Sequence, residues 1–204
     1  HLLTYGVEFY QDDSSNTDSS VTTTTLRFPF PPFEIPVVTT DDVANAPNAV
    51  NESLGFFVQD EIDLGERFKL TLGARAQNVA TRAQATPGWD ITGLDFDDDS
   101  LVGSASLVYA MSEHLRLVSS FGTAFRSPNI IERLFNGPTP EGAGFQVLNP
   151  DLTSEESENI ELGLKYLRSN AVFEILLFRN DIDNGIIQYF FSPAEVAQLP
   201  QELQ

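Results

Sequence analysis

Carboxylates dominate the reactive side chains: 30 aspartates and glutamates face 11 lysines and arginines, a net charge of −19 over 204 residues. Asp95, Asp97, Asp98 and Asp99 in DFDDDSL (95–101) invite a calcium reading. Ser100 stands where an EF-hand loop needs Gly, and Ser106 where it needs its bidentate Glu. What is left is a solvated acidic loop, with a weak extracellular cation site between loops as the alternative. DIDNG (181–185) reads as a turn. Paired carboxylates suit glycoside hydrolysis only at a set spatial separation, which sequence does not give. No G-x-S-x-G elbow, P-loop or His pair at metal-binding spacing occurs. Cysteine is absent, so thiol chemistry and Cys-bound metals are out. The histidines are His1 and His114, and His114 reads as a turn residue rather than a ligand. No catalytic residue, metal or cofactor is expected, and the chain is not expected to be an enzyme.

The acidity also excludes partners. A nucleic-acid binder needs a basic stripe to displace counterions, and an anionic membrane surface repels this chain. No apolar run is long enough for a transmembrane helix. The chain opens in a strand-like pattern without Met and stops in the polar QLPQELQ, so a fragment is expected, read as a single partial domain over 1–204.

The elements behind these residues follow a period of two, the signature of strands. Leu3, Tyr5, Val7 and Phe9 alternate with Thr4, Gly6 and Glu8 in 2–10. In 53–63, Leu54, Phe56, Val58 and Ile62 alternate with Gly55, Gln59 and Glu61. The same pattern runs through 67–78, 114–126 and 159–167, and more weakly through 100–111. NAVFEILLFRNDI (170–182) is apolar on both faces, which leaves its orientation open. That predicts seven strands, most near the ~9–11 residues that a tilted strand needs to cross a bilayer. Helical periodicity is almost missing; only PAEVAQLPQEL (193–203) suggests a short helix, interrupted by Pro200.

Connections alternate in length. LGE (64–66), SE (112–113) and RS (168–169) are tight; 11–52, 79–99 and 127–158 are long and rich in Asp, Ser, Thr, Pro and Gly. Alternation alone favours a sandwich or other soluble sheet, since these are common. Loop asymmetry favours the barrel, because transmembrane barrels pair short periplasmic turns with long extracellular loops. A lumen also tolerates Arg67, Lys69, Arg75, Arg116, Glu161 and Lys165 along the strands. Within the first long loop, VTTTT (21–25) and FPFPPF (28–33) suggest a stiff, extended segment, either a hairpin over the mouth or a mobile stretch.

Two corners carry more information. FRSP (125–128) closes one strand and NPDLTSEESENIELG (149–163) leads into the next. Pro128 stops ladder pairing, Asn149-Pro150 fixes a turn, Leu152 can pack, and Gly163 marks a bend or a close backbone approach. Together they resemble the FRAP…NPNLxPExS…ExG signature of TonB-dependent outer-membrane receptors, at Phe125, Arg126, Pro128, Asn149, Pro150, Leu152, Glu155, Glu161 and Gly163. GFFVQDEIDLGERFKLTLGAR (55–75) and FEILLFRNDIDNGI (173–186) resemble further pieces of that barrel. The corners are expected to shape the barrel rim; direct ligand contact by Arg126 is the alternative.

The resemblance implies an all-β, antiparallel, up-and-down transmembrane β-barrel, here about seven strands of a barrel with 22 in such transporters. It implies the outer membrane of a Gram-negative bacterium, lipid on one face, a separate plug domain in the lumen, and coupling to the TonB complex through parts lying outside this chain. The ligand it implies is a small molecule, by the family's default a ferric siderophore, a metal chelate. Haem receptors with this signature carry a His between the motifs, and 129–148 has none. An acidic mouth does not attract an anionic chelate, so the charge is expected to serve loop solubility. Rim and loop position nominates Arg126, Asn129, Arg133, Phe135 and Phe145 as ligand contacts. The alternatives are a secreted β-sandwich binding glycan or calcium, and a passive porin-like channel.

Overall fold

The computed structural model describes residues 1–29, 32–138 and 145–198. In chain order its elements are β1 (Leu2–Ser14), β2 (Ser20–Pro29), β3 (Pro32–Asp41), β4 (Ala49–Leu64), β5 (Phe68–Ala83), β6 (Asp95–Ala110) and β7 (Leu115–Arg126). Then come a helical turn α1 (Ile130–Leu134), short strands β8 (Gly137–Pro138) and β9 (Phe145–Gln146), β10 (Glu155–Arg168), β11 (Ala171–Asp183) and a second turn α2 (Pro193–Val196). Seven strands form one sheet in the order β1-β4-β5-β6-β7-β10-β11, each antiparallel to its neighbour. Skipping only inserted hairpins, this is an up-and-down meander. The other described strands form only the two-stranded pairs β2-β3 and β8-β9, too small to be the second layer of a sandwich, so the sandwich alternative falls. No described helix is long and apolar enough to cross a membrane.

All seven expected strands are present, and most extend further towards the long loops. The strand read as 53–63 starts at Ala49, and the one read as 159–167 starts at Glu155. Apolar alternation stops before the strand does, because polar cross-strand pairs carry the pairing on. Asn78 donates to Asp99 at 2.9 Å, and Arg82 meets Asp97 at 2.5 Å. The acidic run at 95–99, expected as loop, is therefore strand. Arg67, expected on a strand, sits in the turn before β5.

Register sorts the faces. Tyr5 lies opposite Val58, Phe56 opposite Val7 and Ala76, Leu70 opposite Ile62 and Leu107, and Leu164 opposite Leu117. One apolar face results, and it is bare: Tyr5 is 76% and Leu101 79% exposed. The open orientation of β11 resolves too. Phe173, Ile175 and Leu177 pair with Tyr166, Leu164 and Leu162 and join that face. Burying such a face is worth roughly 25 cal/mol per Å², so it is built for an apolar surrounding. The opposite face is a polar ladder: Arg75 bonds Glu8 at 3.1 Å and Gln77 at 2.8 Å, Gln77 bonds Ser53 at 2.9 Å, and Lys165 meets Glu174 at 2.8 Å. Gly163 faces this side; a Cβ there would lie 3.2 Å from the Leu176 side chain, so the tight neighbour is a side chain of β11 rather than a backbone.

The segment after β1 forms the hairpin β2–β3, with Phe28 stacked on Phe33 at 4.5 Å. The middle of FPFPPF, at 30–31, lies outside the described residues, as does Pro200 of the C-terminal helix read. There the helix is the single turn α2, capped by Ser192 and Glu195. Buried apolar side chains gather where the long loops meet: Ala44, Ala46, Ala49, Val79, Ala80, Leu94 and Leu134. The sheet thus has little core of its own; its core is the loop layer at one end.

Candidate functional site

That layer is built from the two Pro corners. Arg126 closes β7, and Pro128, fully buried, ends the ladder. Asn129 then starts α1 as its N-cap: its side chain accepts from the Glu132 N–H at 2.9 Å, and the Glu132 carboxylate accepts from the Asn129 N–H at 2.9 Å. This reciprocal box satisfies two helix donors at once. Glu132 also receives Arg126 at 2.8 Å, and Arg126 pairs with Glu155 at the start of β10. Glu155 in turn accepts the Ile186 N–H at 2.7 Å, beyond β11. Burial pushes the Glu132 carboxyl up, but the Arg126 and Asn129 hydrogen bonds outweigh it and hold its pKa below the ordinary value.

Arg133, one position on, points the other way. It is 3% exposed and donates from both terminal nitrogens to the two Asp98 oxygens, each at 2.8 Å. Its Nε and Nη2 reach the Leu152 carbonyl at 3.3 and 3.0 Å, and the guanidinium lies over the Phe96 ring at 4.6 Å. The Ser127 hydroxyl donates to the same Asp98 at 2.5 Å. Asp98 shares the polar face with Phe96, opposite Val79 of β5, so α1 sits over that face. The loop reaches further still. The Asn136 N–H donates to the Asn45 carbonyl at 2.7 Å, and Gly137 abuts Asn45 where a Cβ would collide at 2.0 Å. Asn149 N–H returns to the Arg133 carbonyl at 2.9 Å, and its side chain accepts from Asp151 N–H at 3.2 Å.

The nominated residues therefore divide. Arg126, Asn129 and Phe145 are exposed, Phe135 is half-buried at the α1 C-cap, and Arg133 is enclosed. Arg126, Asn129, Arg133, Asn149, Leu152 and Glu155 come together in one network, while Phe145 stands apart in the β8–β9 pair. Glu161 and Gly163 lie further down β10, where Glu161 accepts from Ser120 at 3.2 Å. Sequence reading missed Ser127 and Glu132, and took Asp98 as part of a solvated acidic loop or weak cation site rather than as the partner of Arg133. Period-two counting through 95–99 would have put Asp98 on the inward face with Phe96, away from Asp95, Asp97 and Asp99. Every described arginine at this end, Arg27, Arg82, Arg126, Arg133 and Arg179, is held by a carboxylate. No three described Asp, Glu or His residues are arranged to hold a metal ion. His114 lies in a tight turn, edge-on to Tyr166 at 6.2 Å.

Residues 1–198 match the family model described as TonB dependent receptor-like, beta-barrel. The ferric enterobactin receptor PirA of Pseudomonas aeruginosa is 31% identical over 130 residues, 55% of this chain and 18% of that receptor. Among solved structures, the Serratia marcescens hemophore receptor HasR, in complex with its hemophore HasA and heme, has a TM-score of 0.61 at 17% identity. That likeness covers 90% of this chain and 33% of HasR. The FrpB iron transporter of Neisseria meningitidis gives 0.57 at 15% identity, covering 88% of this chain and 25% of FrpB. The chain thus spans only a fraction of each relative, and the structural likenesses speak to fold alone.

Proposed function

Because the chain belongs to the TonB-dependent receptor β-barrel family, we propose that it is a stretch of barrel wall in an outer-membrane receptor that takes up a ferric siderophore. The observation that carries this reading is the identity to the ferric enterobactin receptor, which spans 130 residues. The one-sided sheet supports it: the bare apolar face meets outer-membrane lipid, and the polar ladder faces the plug domain of the same receptor. The layer at the long-loop end is then the extracellular mouth. Energy arrives through the TonB complex, which engages parts of the receptor outside this chain.

The mouth offers a chelate few free positive charges, because its described arginines are already paired with carboxylates. Recognition there rests on exposed aromatic and neutral polar groups, with Phe145, Phe135 and Asn129 as the contacts and Arg126 at their edge. Arg133 supports them from behind. A passive channel needs no energy source, so coupling separates the two transport readings.

The test is uptake of radiolabelled iron as ferric enterobactin by cells whose only receptor of this kind is the full receptor containing this chain. Saturable accumulation that stops when TonB is deleted is the expected result. Accumulation indifferent to TonB would establish the channel instead, and no accumulation would remove this siderophore as the ligand.

A further inference from the structure

We infer that Asp98 and Arg133 are positioning residues that lock Ser127–Pro138 and Phe145–Ser154 as a fixed wall of the ligand entrance. The inference rests on the receptor reading, since it assigns the entrance its rigid side. Its observations are independent of the ligand.

The connection between β7 and β10 joins neighbouring strands, so nothing in chain closure requires it to leave their tips. Yet it runs back over β6 and reaches Asn45, just before β4, on the far side of β5. Something must hold it there against the entropy of a long loop. Two contacts do so at its root: Asp98 takes Ser127 and both terminal nitrogens of Arg133. The same guanidinium pins the returning limb at the Leu152 carbonyl, and the Arg133 carbonyl receives the Asn149 N–H. One buried arginine thus fastens outgoing limb, returning limb and sheet together. Leu134, fully enclosed, fills the space beside it. With four hydrogen bonds made and Phe96 over its face, Arg133 has no open side for a ligand. The outer pairs of Arg126 with Glu132 and Glu155 then tie the wall to β10 and, through Ile186, to the segment beyond β11. The wall is set before a ligand arrives, and the exposed Ile131 and Phe145 ride on it.

The experiment uses the full receptor and has two readouts. The first is amide hydrogen exchange without ligand in wild type, Asp98→Asn, Arg133→Met and Arg133→Lys. Exchange at Asn136 and Asn149 is expected to rise at least about tenfold in Asp98→Asn and Arg133→Met. Arg133→Lys, which keeps the charge but not the fork, should fall between. Strand amides of β5, β6, β7 and β10 should keep their protection. The second is ferric enterobactin uptake: the half-saturating concentration should rise several-fold while the maximal rate holds. Unchanged exchange at Asn136 and Asn149 overturns the inference, and so does equal loosening of the strands, which would make the pair a general fold element. If wild type takes up none of this probe, the ligand proposal fails and the exchange data alone judge the wall.

Discussion

At the scale of single residues, the chain spends charge on holding loops. A buried guanidinium is tolerable only with a carboxylate and further acceptors at its donors, and Arg133 has both. Leu134 beside it supplies the apolar part of the same fastening. Leu134→Ala should cost about 2–5 kcal/mol, the range for emptying a closed site. The loss should appear as faster hydrogen exchange at α1, with strand protection intact. Glu132 adds a pH dependence of known sign. Its folded pKa lies below its ordinary value, so the stability it contributes is complete above that value and drains as pH falls through the folded one. Protection of the Glu132 and Arg133 amides should therefore fall in acid, once the pH drops below the ordinary glutamate value, and Glu132→Gln should flatten that fall. Sequence made Arg126 and Asn149 visible through their Pro neighbours. Asp98 stayed hidden because four acids in five positions read as solvent-facing, whereas the strand sends every second one the other way.

At the scale of elements, alternation was enough to orient six of the seven wall strands, because a strand with one apolar face writes that face into every second residue. It failed where both faces are apolar. In β11 the register, not the composition, puts Leu177 with Leu162 and leaves Leu176 against Gly163. A matched pair of substitutions tests this. Leu177→Arg should cost about 2–4 kcal/mol on folding into bilayers, the penalty for a midplane arginine on the lipid side. Leu176→Arg should cost clearly less, since it points to the polar face. Urea titration of the full receptor folded into vesicles compares them; a larger penalty for Leu176→Arg would shift β11 by one residue. Strand ends were not legible for a related reason. Past the apolar band, pairing continues through Asn78–Asp99 and Arg82–Asp97, and composition there matches that of a loop.

At the scale of the whole molecule, two features decide the reading: the sheet has one bare apolar face, and its long loops collect at one end. Family membership was legible from FRSP and NPDL, which stand out because Pro and Asn fix backbone. The loop layer was not, because its contacts join residues far apart in sequence, as Asn45 joins Asn136. The proposed receptor places this sheet across an outer membrane with Asp90 outside and Glu113 inside. Both residues are exposed, in a long loop and a tight turn respectively, and this stretch of the receptor has no cysteine of its own. Single Asp90→Cys and Glu113→Cys variants of the full receptor in intact cells, treated with a membrane-impermeant maleimide, measure it directly. Asp90→Cys should label at once, and Glu113→Cys only after the outer membrane is permeabilised. Labelling of Glu113→Cys in intact cells would contradict this placement.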